Sequence, residues 1–411
     1  MPYYMAWKIK WRPVMFLFLI IISTICLILF KEKEMRYFTF DRIEKFTVPE
    51  TMHLAVVSCG RPGYIGIKDF SKPLDQSLTM IKSASMFAKS PLHIHIFTED
   101  EIKGLFEEEI KSWPIKVQAR VKYSIYSADY SNQLPEELIN EWKRWYKPCG
   151  SFRLFLPMIL KNITDAAIYC DSDVVFVKPI DELWKQLKLM NERHVAGISS
   201  TSGHPISVPK SNEKFISDSN GKMFQINSGV MVLNFTRILR ADWKMFHDVD
   251  DLTVSTSKYG ADLLLNFYRK YKDEAEHDQK LLNIMFHFNS DLLYQLPCSW
   301  NFKNNFCTDD GNICDDAETN GAGAVHGISG SFFGDSNPTF KGLYEFFLMY
   351  KLGQDPEKKL YRRYLSFLGA FASKTYCGKK SRIITESLGK SVKEVDFITP
   401  DIDVEVAPAL E

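Results

Sequence analysis

The chain carries no net charge: over 411 residues, 51 lysines and arginines are matched by 51 aspartates and glutamates. With no basic excess there is no global field to draw it to nucleic acid, and no nucleic-acid partner is expected. Internal repeats are missing too, which argues against a solenoid. None of the 8 cysteines forms a CxxC pair, so the usual spacing of a structural zinc site is absent. Long apolar runs are scarce. Val14 to Phe30, extended by Pro13, is uncharged and sits at the short end of the range that spans a bilayer. No small-residue cleavage site follows it, so a retained signal anchor is expected rather than a removed signal peptide. Lys8, Lys10 and Arg12 precede the stretch, and Lys31, Lys33 and Arg36 follow among Glu32 and Glu34, so the basic residues do not orient it.

What is present favours a lumenal bulk. Asn162-Ile163-Thr164 and Asn234-Phe235-Thr236 are glycosylation sequons. Cys298, Cys307, Cys314 and Cys377 cluster late, which fits disulfides in an oxidising compartment better than zinc. Cys59 and Cys170 lie in apolar runs and are expected as buried thiols. With Cys149 the cysteines beyond the apolar stretch are odd in number, so at least one stays free. The expected divisions are a cytosolic tail (1–12), a transmembrane anchor (13–30), a stem (31–50), a main globular domain (51–345) and a helical extension with a tail (346–411).

The 45% hydrophobic content supports a substantial core. His53 to Gly60 reads as a buried first strand ending in a glycine turn, Leu78–Phe87 as a helix, and Leu92–Phe97 and Val117–Tyr126 as further strands. Alternation of strands and helices predicts an α/β fold with a largely parallel sheet. His93 and His95 have strand spacing; metal ligation is open to them, but flanking the sheet is the expected role. Arg153–Leu160 reads as an apolar helix, and Ser199–Lys222 as a polar loop.

Ala166–Val177 carries the most information. Asp171 and Asp173 stand one residue apart, with Ser172 between them, among apolar and β-branched residues. Side chains at i and i+2 share a side of extended backbone, so both carboxylates can face one cation. Hard divalent ions favour such oxygens and share them with substrate phosphates. Asn227-Ser228-Gly229 reads as a polar turn opening a buried strand, Asp278-Gln279 begins an amphipathic helix, and His326 lies in the glycine-rich GAGAVHGISGSFFG.

In that order these elements resemble the retaining nucleotide-sugar glycosyltransferases of family 8. LAVVSCG, KPCGSFRLFLP, NSGVMVLNFTR, DQKLLNIMFH, LPCSWNF, the HG-x-x-G stretch and TYCGK are similar, more narrowly, to glucoside xylosyltransferases, single-pass lumenal enzymes that extend O-linked glucose on EGF-like repeats. The resemblance implies a GT-A, Rossmann-like domain over 51–345 with the donor at the carboxyl ends of the strands. It implies UDP-xylose as donor, O-glucosylated EGF-repeat glycoproteins as acceptors, retention of configuration, and a type II membrane protein of the endoplasmic reticulum or Golgi.

By the same resemblance Asp171, Asp173 and His326 hold Mn²⁺, with Asp171 also touching the donor ribose. Arg153, Ser172, Asn227, Ser228 and Gly229 hold the donor. Ser58, Cys59 and Gly60 lie near the uracil, and Gly327 and Gly330 bring backbone N–H groups to the phosphates. Trp300 and Asn301 form an acceptor platform, with a core tryptophan as the alternative. Asp278 and Gln279 are the catalytic candidates, and a front-face route is favoured over a covalent intermediate. One departure is visible. Many family-8 enzymes carry a lysine after the histidine motif, where this chain has Ser331 and Phe332, leaving Lys341 or another residue to serve.

Three rivals remain. The stretch Asp171–Val175 also fits the D-x-D-x-[TV] pattern of haloacid-dehalogenase-type phosphatases, but no later pair of acids follows a clear apolar strand. A family-8 transferase using UDP-glucose or UDP-galactose differs only in pocket volume. An inactive glycan-binding protein would not need both aspartates, His326 and the Asp-Gln pair.

Overall fold

Strand β1 (Met52–Ser58) is mostly apolar and buried except for the partly exposed His53 and Val57, the pattern of a parallel strand covered by helices on either side. The computed structural model describes residues 50–396 except 63–67, 147–148, 203–224, 247–253, 272, 274, 276, 310 and 372–373. The expected anchor and most of the polar loop therefore lie outside the described residues. Among those residues, no helix is long and apolar enough to cross a membrane.

After β1 come helix α1 (Ser71–Phe87), β2 (Leu92–Thr98) and β3 (Val121–Ser127). The third strand starts later than the sequence pattern indicates. Pro114 opens a short helix, Ile115–Gln118, that takes up the residues before Val121. Next are α2 (Leu156–Leu160), β4 (Ala166–Cys170), β5 (Val174–Phe176), β6 (Ala196–Ser200) and β7 (Ile226–Asn234). The expected helix from Arg153 is only half right: Gly150–Phe155 is a tighter 3₁₀ turn, and α2 begins beyond it with Pro157 in its first turn. Helix α3 (Asp278–Phe288), β8 (Leu293–Gln295), β9 (Phe302–Lys303), β10 (Ala324–His326), α4 (Pro338–Met349) and α5 (Arg382–Val392) complete the elements used below.

The main sheet has seven strands in the order β8-β6-β7-β4-β1-β2-β3. Pairs β4–β1, β1–β2, β2–β3 and β8–β6 are parallel, as expected of a largely parallel sheet. Strand β7 runs antiparallel to both β4 and β6. Asn227, Ser228 and Gly229 are therefore residues within β7 rather than a turn before it. Alternate side chains of β1 and β2 enter two cores: Leu54, Ile94 and Ile96 on one face, Ala55 and Phe97 on the other.

A second sheet, β9-β10-β5, has β10 antiparallel to β5 and parallel to β9. Its register pairs His326 with Val174, immediately after the two aspartates. The helical extension docks on the same body, with Ser391 Oγ of α5 donating to the Val177 carbonyl at 2.8 Å.

Among the described residues three disulfides form: Cys59–Cys149, Cys298–Cys314 and Cys307–Cys377. Cys170 is free and buried, as expected. Cys59 is a correction. It lies just past the end of β1, where the chain leaves the core and meets the turn at Cys149.

Candidate active site

Strand β4 ends at Cys170 and delivers Asp171 to the carboxyl edge of the sheet. The Asp171 N–H donates to the Gly229 carbonyl of β7 at 2.8 Å, which fixes the start of the turn through Ser172 and Asp173. The Gly327 N–H donates to the Asp173 carbonyl at 2.7 Å and clamps that turn to the loop after β10. This corrects the expectation for Gly327, whose N–H is committed to Asp173 and does not face a phosphate. The same loop carries two residues in left-handed backbone, Ser329 at φ 53° and Gly330 at φ 72°. A serine there is strained, a feature common at ligand-binding loops.

One donor atom from each of Asp171, Asp173 and His326 lies within 4.8 Å of the other two. His326 Nε2 is 3.3 Å from Asp173 Oδ1 and 3.8 Å from Asp171 Oδ2. The tautomer follows from the bonds behind the ring. Asn301 Nδ2 donates to Asn227 at its carbonyl (3.2 Å) and at Oδ1 (2.7 Å), so Asn301 Oδ1 is left to accept from His326 Nδ1 at 2.9 Å. That leaves Nε2 as the ring nitrogen facing the carboxylates. Two carboxylates and an imidazole, the imidazole oriented from behind, form a donor set that fits a divalent ion of the Mn²⁺ type.

Gly229 makes room for this imidazole: an added Cβ would fall 2.1 Å from His326 Cε1. Only the absence of a side chain lets β7 pass under the ring.

Arg153 joins the cluster to α3. Its Nη1 lies 2.9 Å from Asp171 Oδ1 and donates to the Ser228 carbonyl at 3.0 Å. Its Nε sits 2.6 Å from Asp278 Oδ2, an ion pair without hydrogen-bond alignment. Its guanidinium also stacks over Tyr169 at 4.9 Å, and the Tyr169 hydroxyl donates to Asp171 Oδ1 at 2.7 Å. Burial raises the Asp171 carboxyl above its ordinary range, and Arg153 opposes that rise. Gln279 Oε1 accepts from Ser228 N and Oγ at 3.1 and 3.2 Å. Arg153, Asp171, Asp173, Asn227, Ser228, Gly229, Asp278, Gln279 and His326 thus meet in one connected group.

Other expected residues fall outside it or, like Asn301, join it in a different role. Trp300 is buried, with its indole packed over Gly323, so the core alternative holds. Asn301 is fully buried and orients His326. Neither presents a face to an acceptor. Ser58 turns inward and donates to the Pro73 carbonyl, while Cys59 is committed to its disulfide. The Gly60 N–H donates to Glu99 Oε2 at 2.7 Å. Lys341 is engaged by Asp335 at 2.6 Å and does not serve as the missing phosphate cation in this conformation.

The sequence reading missed Tyr169, the orienting role of Asn301, and Lys303. Lys303 is next to His326 across β9 and β10, and its ammonium donates to the Ser200 and Thr201 carbonyls at 3.2 and 3.0 Å. Burial pushes it down to about 7. Of these, only Asn301 had a visible signal, its place in the LPCSWNF motif.

Of the sequons, Asn162 is exposed in the turn after α2. Asn234 is the N-cap of the following helix, its side chain accepting from Arg237 N at 2.9 Å.

The fold and the site describe a nucleotide-sugar transferase, and the sequence comparison agrees: residues 55–326 match the model of the Glycosyl transferase family 8. The chain belongs to that family, and it is a UDP-sugar glycosyltransferase. Within it the kinship is with the glucoside xylosyltransferases. Glucoside xylosyltransferase 1 of Gallus gallus is 35% identical over 350 residues, covering 84% of this chain and 74% of the relative. Glucoside xylosyltransferase 2 of Mus musculus is 32% identical over 344 residues, covering 83% and 71%. Among solved structures, mouse xyloside xylosyltransferase 1 in its apo form aligns with a TM-score of 0.44 at 15% identity, over 68% of this chain and 98% of that one.

Proposed function

We propose that the chain transfers xylose from UDP-xylose, Mn²⁺-dependently and with retention, to a β-linked O-glucose on EGF-like repeats of lumenal or secreted proteins. The observation that carries this reading is the convergence of Asp171, Asp173 and His326 beside the Arg153–Asp278 pair, in a chain whose relatives are glucoside xylosyltransferases. When bound, the ion supplies Lewis-acid neutralisation of the departing diphosphate.

The residues divide the remaining work. Asp171, held by Tyr169 and Arg153, positions the ribose side of the donor. Asn227, Ser228 and Gly229 line the path of the sugar, and Ser172 and Gly330 flank the diphosphate. Asp278 is already neutralised by Arg153, which weakens it as a nucleophile, so the favoured route is front-face attack. In that route Gln279, its oxygen tied to Ser228, keeps its amide N–H₂ group for the sugar or acceptor. The acceptor proton passes to the leaving phosphate.

The proposal extends to location: a type II protein of the endoplasmic reticulum or Golgi membrane, anchored through residues 13–30, with a stem (31–50), a lumenal catalytic domain (51–345) and a helical extension (346–411). Three disulfides support an oxidising compartment.

The test is UDP release by the full chain in detergent, across a panel of UDP-sugars with a β-glucoside acceptor, and the anomeric configuration of the product by NMR. Turnover of UDP-xylose that needs Mn²⁺ and the glucoside, giving an α-linked product, is expected. Preference for UDP-glucose or UDP-galactose overturns the donor assignment, and a β-linked product overturns retention.

A further inference from the structure

A second cluster of ligating groups lies on the same central strands, away from the site above. His53 of β1 is the register partner of His93 of β2, and His95 lies two residues further along β2. All three rings therefore leave the same face of the sheet, in the amino-terminal half of the strands, while the aspartates sit beyond the carboxyl ends. Their centroids are 4.2 to 5.4 Å apart. One ring nitrogen from each lies within 4.8 Å of the other two.

Hydroxyls of β3 anchor two of the rings from behind. His95 Nδ1 is 3.0 Å from the Tyr126 hydroxyl, and its Nε2 shares a 2.9 Å hydrogen bond with His53 Nδ1, whose proton a bound metal would displace. His93 Nε2 is 2.9 Å from Ser124 Oγ, which leaves Nδ1 as its second donor. This is the arrangement of metal-ligating histidines, in which one nitrogen is oriented by an outer hydrogen bond and the other is presented inward. Tetrahedral zinc with ~2.05 Å bonds sets ligand nitrogens ~3.3 Å apart, within reach of the observed separations by small ring rotations. His95 is fully buried, while His53 and His93 are partly open, so the cluster has a solvent side for entry and for a fourth ligand.

We propose that His53, His93 and His95 form a second metal site, distinct from the Asp171–Asp173–His326 cluster, that takes Zn²⁺ on three imidazoles and one exogenous ligand. The nitrogen-only donor set selects a borderline ion over Mn²⁺ or Mg²⁺. Lys122, paired with His93 across β2 and β3, is the cation that opposes binding. Bound zinc would bridge β1 and β2 as a structural clamp.

The experiment is a Co²⁺ titration of the full chain in detergent, stripped by chelator and then held in excess Mn²⁺, read by the intense visible bands of tetrahedral Co²⁺. The site predicts one equivalent in the wild type and in Asp173→Ala. It also predicts loss of that equivalent in His93→Gln and His53→Gln, and about tenfold weaker binding in Tyr126→Phe. Tyr126→Phe keeps every ligand, so it still tests the site if a histidine variant does not fold. The proposal is overturned if the wild type shows no saturable equivalent, if binding disappears in Asp173→Ala, or if it is unaffected by His93→Gln or Tyr126→Phe.

Discussion

The central strands carry two clusters of metal-ligating side chains, one beyond their carboxyl ends and one toward their amino ends, and the two are built differently. Asp171 and Asp173 lie in the turn after β4 and are partly exposed, while His326 ends β10 of the second sheet and is buried. His53, His93 and His95 come from two adjacent strands, on regular backbone, packed against Tyr126 and Ser124. The first cluster mixes hard oxygen with one nitrogen; the second is nitrogen alone. Carboxyl-end loops of an open α/β sheet are where ligands bind, whereas side chains midway along a strand are held by their neighbours. On the proposals above, the first cluster would exchange substrate and the second would join two strands.

The largest expected effect comes from exchanging damage between the clusters. Asp173→Ala should lower kcat by about 10³-fold, since the ion contributes several kcal/mol to the transition state, and leave the Co²⁺ equivalent intact. His93→Gln should do the reverse. Steady-state kinetics and the cobalt spectrum on the same preparations decide it; parallel losses would merge the two sites into one.

Next is Gly229→Ala. Its Cβ would meet the His326 ring at 2.1 Å and drive the imidazole from the carboxylates. A displacement of that size should cost about 10²-fold in metal-saturated kcat. An unchanged rate would mean that His326 is not a ligand. Asn301→Leu acts one step further out. It removes the acceptor that fixes the His326 tautomer and should weaken Mn²⁺ activation by about tenfold, measured as a shift in the Mn²⁺ concentration for half-maximal rate. The smallest effect is thermal. Restoring Zn²⁺ to chelated protein at ~100 times its Kd should add ~2.7 kcal/mol and raise Tm by ~4 °C, with no change in kcat once Mn²⁺ is present.

Much of the fold was legible because it is local. Continuous apolar runs mark β1 and β4 and alternation marks β2, but Asp171–Asp173, expected in extended backbone, form a turn between β4 and β5. The resemblance added the residues meeting at Arg153, although the backbone there is a 3₁₀ turn in place of the expected helix. What escaped depends on partners distant in sequence. Cys59 reads as a core thiol until the fold brings Cys149 to it across 90 residues. Asn301 and Trp300 resemble an acceptor platform until β9 and β10 pair and turn them inward. His93 and His95 show strand spacing, but their third member, His53, becomes visible only through the β1–β2 register.

Calorimetric titration of UDP tests the account most directly, with and without Mn²⁺, in the wild type, Asp173→Ala and His93→Gln. The account predicts UDP binding that requires Mn²⁺, disappears in Asp173→Ala and survives in His93→Gln. UDP binding that is equally tight without metal, or undiminished in Asp173→Ala, would contradict it.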